Sequence, residues 1–146
     1  MKKNIIRIFK DFSEYPGLRT SNISDNSGEE FYHKILNSRF YESVKDNEIL
    51  EVDLDLTSGY APSFLDEAFG NLVYDFTLAL VKKYLRIKSE EEPNWLNMLN
   101  EKTFHQLEER RLSQIQPKIT TQHTPLYRFV DNKFQQKEWI SPEFSR

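Results

Sequence analysis

The sequence predicts an α/β domain in which helices pack on a mostly parallel sheet, and three observations support this. Residues 49–56 alternate between apolar and acidic side chains, which is the period of a half-buried strand. Apolar residues recur about every fourth position from Phe64 to Phe76, which predicts a long amphipathic helix directly afterwards. Predicted strands and helices alternate along the chain, so crossover connections place neighbouring strands parallel.

The first third of the chain predicts a strand, a polar loop and a helix. Residues 5–9 are apolar enough for a short strand, and residues 11–26 form a polar loop with a turn at Pro16-Gly17. Ser27 and Glu30 have the spacing of a capping box, which satisfies free backbone N–H groups at a helix start. The helix that follows carries its apolar stripe on Phe31, Ile35, Leu36 and Phe40.

The central strand has one apolar face and one acidic face. The apolar face consists of Leu50, Val52, Leu54 and Leu56. The acidic face consists of Glu51, Asp53 and Asp55. Because burying an unpaired carboxylate is unfavourable, we expect water or basic side chains over the acidic face.

The helix after this strand is expected to begin at Ser63. Its hydroxyl has the chemistry of an N-cap, and Asp66 has the spacing to complete a capping box. Gly70 lies inside the helix, where glycine costs about 1 kcal/mol relative to alanine. We expect a close approach of the helix to the sheet as the reason.

The second half predicts another strand, another helix and a hairpin. Residues 85–88 alternate as a strand, and Ser89 together with Pro93 marks a helix start that continues to Leu112. Residues 113–125 have little apolar content and predict a linker. The pair Asp131-Asn132 separates two short runs of strand-forming residues, which makes it a candidate two-residue hairpin turn.

Composition excludes several classes of protein. The chain of 146 residues is the size of one domain with an extension, and it has no cysteine for disulfides or thiolate metal sites. A net charge of −3 argues against non-specific nucleic-acid binding. No apolar run has the length of a membrane helix, and residues 1–4 lead into a strand rather than into a signal segment. We therefore expect a cytoplasmic protein that is not bound to a membrane.

Several segments resemble one family. Ser27 to Phe31, the run from Leu54 through Gly70, Pro16-Gly17 with Arg19, and residues 85–89 together are similar to the bacterial STAS-like domains of unknown function. The resemblance covers about residues 5–110. It implies a small STAS-like sandwich over residues 1–112, followed by an aromatic-rich extension over residues 113–146.

The resemblance also implies a class of function. Related STAS domains are anti-sigma-factor antagonists, in which a serine at the start of the helix after a central strand is phosphorylated by a partner kinase. Ser63 is the matching position, although Ala61-Pro62-Ser63-Phe64 replaces the Asp-Ser-Ser-Gly of the antagonists. The implied function is a non-enzymatic regulatory or protein-interaction module. The implied partner is a protein such as a histidine-kinase-like ATPase.

The candidate site is the loop of residues 57–62 together with the N-terminus of the Ser63 helix, beyond the carboxyl end of the central strand, where open α/β sheets usually bind ligands. Its residues are Arg19, Thr57, Ser58, Gly59, Tyr60 and Ser63. These residues would bind a partner protein or, as the alternative, hold a nucleotide or another small anion through their hydroxyl groups and the guanidinium. A simple turn with a satisfied arginine is the structural alternative, and Ser63 is either a phosphoacceptor or only a helix cap.

No pattern indicates catalysis, a metal or a cofactor. Asp53 and Asp55 share a strand face, which allows acid–base chemistry but more commonly indicates a solvated face or an ion pair. His33, His105 and His123 lack the spacing of metal ligands. We expect His33 and His105 on helix surfaces.

The extension is rich in apolar and aromatic side chains. They are Leu126, Tyr127, Phe129, Val130, Phe134, Trp139, Ile140 and Phe144. Because burial of each such side chain gains about 1.5–3 kcal/mol, the extension should pack on its own domain or on a second copy. We expect it to add strands or an arm to a sheet edge, with a homodimer favoured over a monomer. The alternative is a flexible tail that folds on a partner.

Overall fold

Three parallel strands form the predicted sheet. In the computed structural model, which describes residues 4–142, they are β1 (Asn4–Arg7), β2 (Leu50–Asp53) and β3 (Leu85–Lys88). β2 lies in the centre, and its Val52 pairs with Ile6 on one side and with Ile87 on the other. The α/β class and the parallel sheet predicted from the sequence are confirmed.

Helices fill the segments between the strands and form the rest of the domain. The α-helices are α1 (Ile8–Asp11), α2 (Gly28–Phe31), α3 (Asn37–Lys45), α4 (Pro62–Phe76), α5 (Leu78–Tyr84), α6 (Asn94–Met98) and α7 (Phe104–Leu112). A π-helical turn at Tyr32–Leu36 joins α2 to α3, and a second one at Leu99–Thr103 joins α6 to α7. The Ser27 hydroxyl accepts the N–H of Glu30 at 3.0 Å, so the predicted cap of α2 is confirmed.

The two faces of the sheet differ as the alternation predicted. Leu50 and Val52 are fully buried in the core. On the opposite face the register sets Glu51 beside Arg86, and it sets Asp53 between Arg7 and Lys88. Lys88 Nζ lies 3.9 Å from Asp53 Oδ2. The acidic face is therefore flanked by basic side chains, as expected.

Gly70 marks a close approach of α4 to another helix rather than to the sheet. A Cβ at this position would lie 2.8 Å from Leu107 Cδ2 and 3.3 Å from Thr103 Cγ2. These neighbours belong to α7 and to the π-helical turn before it. The predicted close approach exists, but its partner was wrong. Sequence alone shows a missing side chain in α4 without showing which neighbour fills the space.

The extension contains the predicted hairpin. β4 (Leu126–Val130) and β5 (Lys133–Lys137) pair antiparallel. Asp131 and Asn132 have φ angles of 54° and 61°, the left-handed values of a type I′ turn.

The hairpin forms its own two-stranded sheet, so the expectation that it extends a sheet edge was wrong. The hairpin packs against helices of the domain. The Tyr127 ring stacks on Tyr41 of α3 with ring centroids 3.7 Å apart, and the buried Leu126 joins the core. Phe144, which the prediction included, lies outside the described residues. Because the extension finds its cover on its own chain, it no longer gives a reason to expect a second copy.

Residues 113–125 are not a free linker. Ile119 is only 3% exposed, and Thr120, Thr121 and His123 all bind the carboxylate of Glu29 on α2. The same segment covers His33, whose ring stacks on His123 at 4.0 Å. His33 is therefore buried and the expectation of a surface position was wrong, whereas His105 is exposed as predicted. A domain boundary at residue 112 stays a prediction.

Candidate functional site

A small cleft opens at the carboxyl end of β2. It has a volume of about 210 Å³, and its lining includes Thr57, Ser58, Gly59, Tyr60 and Trp95. The structure thus brings together four of the predicted site residues at the place where the crevice rule puts a binding site.

Two buried aspartates hold this loop in place. Asp53 Oδ1 accepts the N–H of Asp55 at 2.9 Å. The Asp55 carboxylate accepts the N–H groups of Glu90 and Glu91 at 3.1 and 2.9 Å, which ties the end of β2 to the segment after β3. These contacts favour the structural interpretation of the two acids over acid–base chemistry.

Leu56 leaves the sheet in an unusual backbone conformation. β2 ends at Asp53, so the prediction that Leu56 belongs to the apolar strand face was wrong. Its φ is 69°, in the left-handed region that costs an L-residue about 1–2 kcal/mol. Its N–H donates to the carboxylate of Glu91, which holds the conformation. As a result, the Leu56 side chain is 65% exposed.

Tyr60 anchors the loop from inside. Its hydroxyl donates to the Leu54 carbonyl at 2.7 Å, and its ring lies 5.7 Å from the ring of Phe64 on α4. Burial raises the pKa of Tyr60, and the nearby Asp53, Asp55 and Glu91 raise it further. Its hydroxyl therefore stays protonated and already has a partner, which makes Tyr60 a supporting residue more than a ligand-binding one.

A second exposed side chain, Tyr15, lies on the loop before α2, which contacts the loop of residues 57–60. The Ser58 N–H donates to the Glu14 carbonyl at 2.8 Å, and the neighbouring Tyr15 is 67% exposed. We call the surface formed by Tyr15, Leu56 and residues 57–60 the loop rim. Tyr15 and Leu56 were not among the predicted site residues. The sequence gives no indication that Leu56 is exposed, because a positive φ is normally predicted only at glycine or asparagine.

Ser63 does not cap α4. The N-cap position is Ala61, and Pro62 occupies the first helical position, where its fixed φ and missing N–H are favourable. Ser63 therefore falls on the second position of the helix, and the predicted capping box with Asp66 does not form. The side chain of Ser63 is partly exposed and makes no hydrogen bond within residues 4–142.

The structure places Arg19 in a different cleft. Its Nη1 lies 2.8 Å from Asp66 Oδ2 and 3.4 Å from Glu67 Oε1. These acids sit in the first turns of α4, on the wall of a larger cleft between α4 and α7. Arg19 thus neutralises the acids beside Ser63 but does not line the cleft of residues 57–60.

The charge around the loop cleft is negative. Asp55, Glu91 and Glu92 line it, and none of its lining residues is basic. This distribution opposes an anion or a nucleotide phosphate at residues 57–60.

Two kinds of feature are absent from the described residues, a metal-binding cluster and a membrane-spanning helix. Between residues 4 and 142, no group of three or more histidine and acidic side chains is arranged to hold a metal ion. Within the same residues, none of the helices is both long and apolar enough to cross a bilayer.

The parallel sheet, the helical cover and the loop at the end of the central strand define a small α/β domain of the STAS-like type. Comparison with protein families identifies it: residues 27–95, from the α2 cap to α6, match the family model of a STAS-like domain of unknown function. The match covers 69 of the 146 residues, and this segment is similar to that family. Comparisons with curated proteins and with solved structures gave no significant match.

Proposed function

We propose that this protein is a non-enzymatic regulatory module that binds a partner protein through the loop rim and the N-terminus of α4. A regulatory or interaction module is the class that a STAS-like domain supports. The observation that carries the proposal is Leu56, a large apolar side chain that a strained backbone holds in solvent. Strain of this kind persists where the surrounding structure enforces it, and it clusters at functional sites.

Burial of the rim would supply binding free energy. Tyr15 and Leu56 are both about two-thirds exposed. Covering a side chain of this size gains about 1.5–3 kcal/mol. The loop is already fixed by Asp55 and Tyr60, so a partner would order few additional residues on binding.

The charge of the rim indicates the complementary surface. Glu90, Glu91 and Glu92 are exposed beside Leu56 and the loop. A partner with an apolar patch bordered by basic side chains fits this surface, because complementary charge favours the right partner and speeds association. We propose a histidine-kinase-like ATPase as the class of partner, on the basis of the resemblance to the antagonists.

Ser63 is the proposed site of phosphorylation. Its hydroxyl is partly exposed on the first turn of α4, where backbone N–H groups and the helix dipole favour a phosphate. Asp66 and Glu67, which would repel a phosphate, are paired with Arg19. A phosphate there would add negative charge next to the loop rim and change partner binding.

A nucleotide or anion in the loop cleft has less support. Thr57, Ser58 and Trp95 supply hydroxyl groups and a ring, but three carboxylates surround them and Arg19 lies elsewhere. Thermal unfolding with and without ATP decides between the two functions. A ligand at about 100 times its dissociation constant adds about 2.7 kcal/mol of stability, and we expect no such shift from the loop cleft.

Affinity capture with immobilised variants tests the proposed function. Leu56→Asp and Ser63→Glu should each lose a partner that the native chain retains. Leu112→Asp is the matched control, because Leu112 is 69% exposed at the end of α7, outside the loop rim. If Leu56→Asp and Ser63→Glu keep every partner of the native chain, the rim is not the interface.

A further inference from the structure

The largest cleft so far described lies away from the loop rim. It has a volume of about 650 Å³ and is bordered by α4, by α7 and by residues 115–120 of the extension. Clefts of about 300–1,000 Å³ are the size that proteins use for small molecules.

The acids in this cleft are already satisfied. Asp66 binds Arg19 through Oδ2 and accepts the Thr103 hydroxyl at 2.9 Å through Oδ1. Glu67 Oε2 accepts the side-chain amide of Asn71 at 2.9 Å, and its Oε1 faces Arg19. Asp66 and Glu67 carry two negative charges against the one positive charge of Arg19. Arg110 and Lys118 add two further cations to the lining.

A cation remains at the mouth of the cleft. Arg110 lines it from α7, is exposed, and forms no ion pair within residues 4–142. Arginine donates paired hydrogen bonds that match a carboxylate, a sulfonate or a phosphate.

The wall next to this cation is apolar. Leu107 and Pro117 line it together with Ile115 of the extension, which has 58% of its surface exposed. A ligand with an apolar body would cover the exposed part of Ile115 and gain free energy from its burial.

We propose that this cleft binds a small organic anion whose charged group pairs with Arg110 and whose apolar body packs against Leu107 and Ile115. Because one wall is α4 and α7 and the other is residues 115–120, the ligand joins the extension to the body of the domain. This site is separate from the loop rim, so its failure or success is independent of the proposed partner binding.

A fluorescence titration of the full chain with anilinonaphthalene sulfonate tests the proposal, since this probe combines an aromatic body with a sulfonate. We expect saturable binding at one site and displacement by decanoate. Decanol lacks the charge and inorganic phosphate lacks the apolar body, so each should displace the probe much more weakly. Displacement by phosphate or decanol as strong as by decanoate would overturn the proposed ligand class.

Two variants locate the binding. Arg110→Gln should weaken binding by about tenfold or more, since hydrogen bonds to charged groups are worth that much. Ile115→Asp puts a carboxylate on an exposed position of the apolar wall and should abolish binding. Lys102→Gln removes the same charge from an exposed position outside the cleft and should bind as the native chain does. Native affinity in both Arg110→Gln and Ile115→Asp would overturn the proposal.

Discussion

A residue with a positive φ lies on either side of helix α4, but the two ends of the helix differ in what covers them. Thr77, after the last residue of α4, has φ 81°, and Leu56, six residues before its first, has φ 69°. The hydroxyl of Thr77 accepts the N–H of Leu80 at 3.3 Å and so caps α5. The side chain of Leu56 performs no comparable task within the domain and stays exposed.

The carboxyl end of α4 is sealed by the extension. Arg128 Nε lies 2.7 Å from Asp75 Oδ1, and the Tyr32 hydroxyl donates to the other oxygen of this carboxylate. The Arg128 guanidinium also lies 4.7 Å from the ring of Trp139 and 5.0 Å from the ring of Tyr74. Complete burial raises the pKa of Asp75, although Arg128 and Tyr32 favour its charged form.

The comparison shows at which end of α4 the proposed partner would bind. At the carboxyl end, the strained residue and the buried charge both find their counterparts in the same chain. At the amino end, the side chain of Leu56 stays exposed and the side chain of Ser63 makes no hydrogen bond within residues 4–142. The contacts of the fold give a role to the residues at the first end, whereas at the second end the proposed partner binding would supply one.

The largest expected effect is the loss of one partner of the buried ion pair. Arg128→Met leaves the Asp75 carboxylate buried without its counter-charge and should lower the free energy of unfolding by about 3–5 kcal/mol. Asp75→Leu should do the same by leaving Arg128 unpaired. Urea denaturation measures both values, and limited proteolysis should show that residues after 112 become accessible first.

The double variant Asp75→Leu with Arg128→Met is the control for that prediction. Replacing both charges by apolar groups removes the desolvation cost as well as the attraction, so it should recover much of the loss. If either single variant costs less than about 1 kcal/mol, the ion pair does not seal this end of α4.

The second-largest expected effect is a loss of stability at acid pH, where the contacts between Glu29 and the extension weaken. Burial alone would raise the pKa of Glu29, but hydrogen bonds from His123, Thr120 and Ser21 overcome burial and lower that pKa from 4.5 to about 2. A carboxylate with a lowered pKa contributes stability above pH 4.5 and loses it as the pH falls towards 2.

His33 extends this acid sensitivity to higher pH. Burial and the adjacent His123 lower its pKa from 6.5 to about 3, against the opposite effect of Glu29. The folded state therefore favours neutral His33, and stability declines as the pH falls from 6.5 towards 3. Melting temperatures across this range should fall for the native chain. Below pH 4.5, the melting temperature of Glu29→Gln should fall less than that of the native chain. Above pH 4.5, the melting temperature of His33→Phe should fall less than that of the native chain. Parallel curves for all three proteins would contradict the assignment.

A smaller effect is expected in the middle of α4. Gly70→Ala adds a Cβ that meets Leu107, and such overpacking costs about 1–3 kcal/mol, partly offset by the better helix propensity of alanine. A net loss of about 1 kcal/mol should appear in urea denaturation. In a Leu107→Ala background the contact is absent, so the same substitution should become neutral or stabilising. An equal loss in both backgrounds would exclude the contact as the cause.

The sequence predicts the regular elements well because their causes are local. The alternation of residues 50–53, the apolar stripe of α4, the Ser27 cap and the Asp131-Asn132 turn each depend on a few neighbouring residues. The Ser63 cap failed on an equally local point, since the adjacent Pro62 takes the first helical position. Local rules compete, and the proline is the stronger one here.

The site depends on contacts between distant segments, which the sequence does not show. Arg19 meets Asp66 across 47 positions, and Glu29 meets Thr120 across 91. Residues 113–125 have the sequence of a linker. The buried carboxylate that holds them belongs to Glu29 on α2, which is far away in the sequence. Residues 57–60 were found together because they are contiguous, whereas Tyr15 and Leu56 required the structure.

Leu56→Gly tests the central claim, that Leu56 is held in solvent for a partner. Glycine adopts a positive φ without strain, at the cost of greater freedom in the unfolded chain. The free energy of unfolding should therefore stay equal or rise by up to about 1 kcal/mol. In affinity capture, the same variant should lose the partner that Leu112→Gly retains. A Leu56→Gly protein that is less stable than the native chain, or that keeps every native partner, would contradict the account.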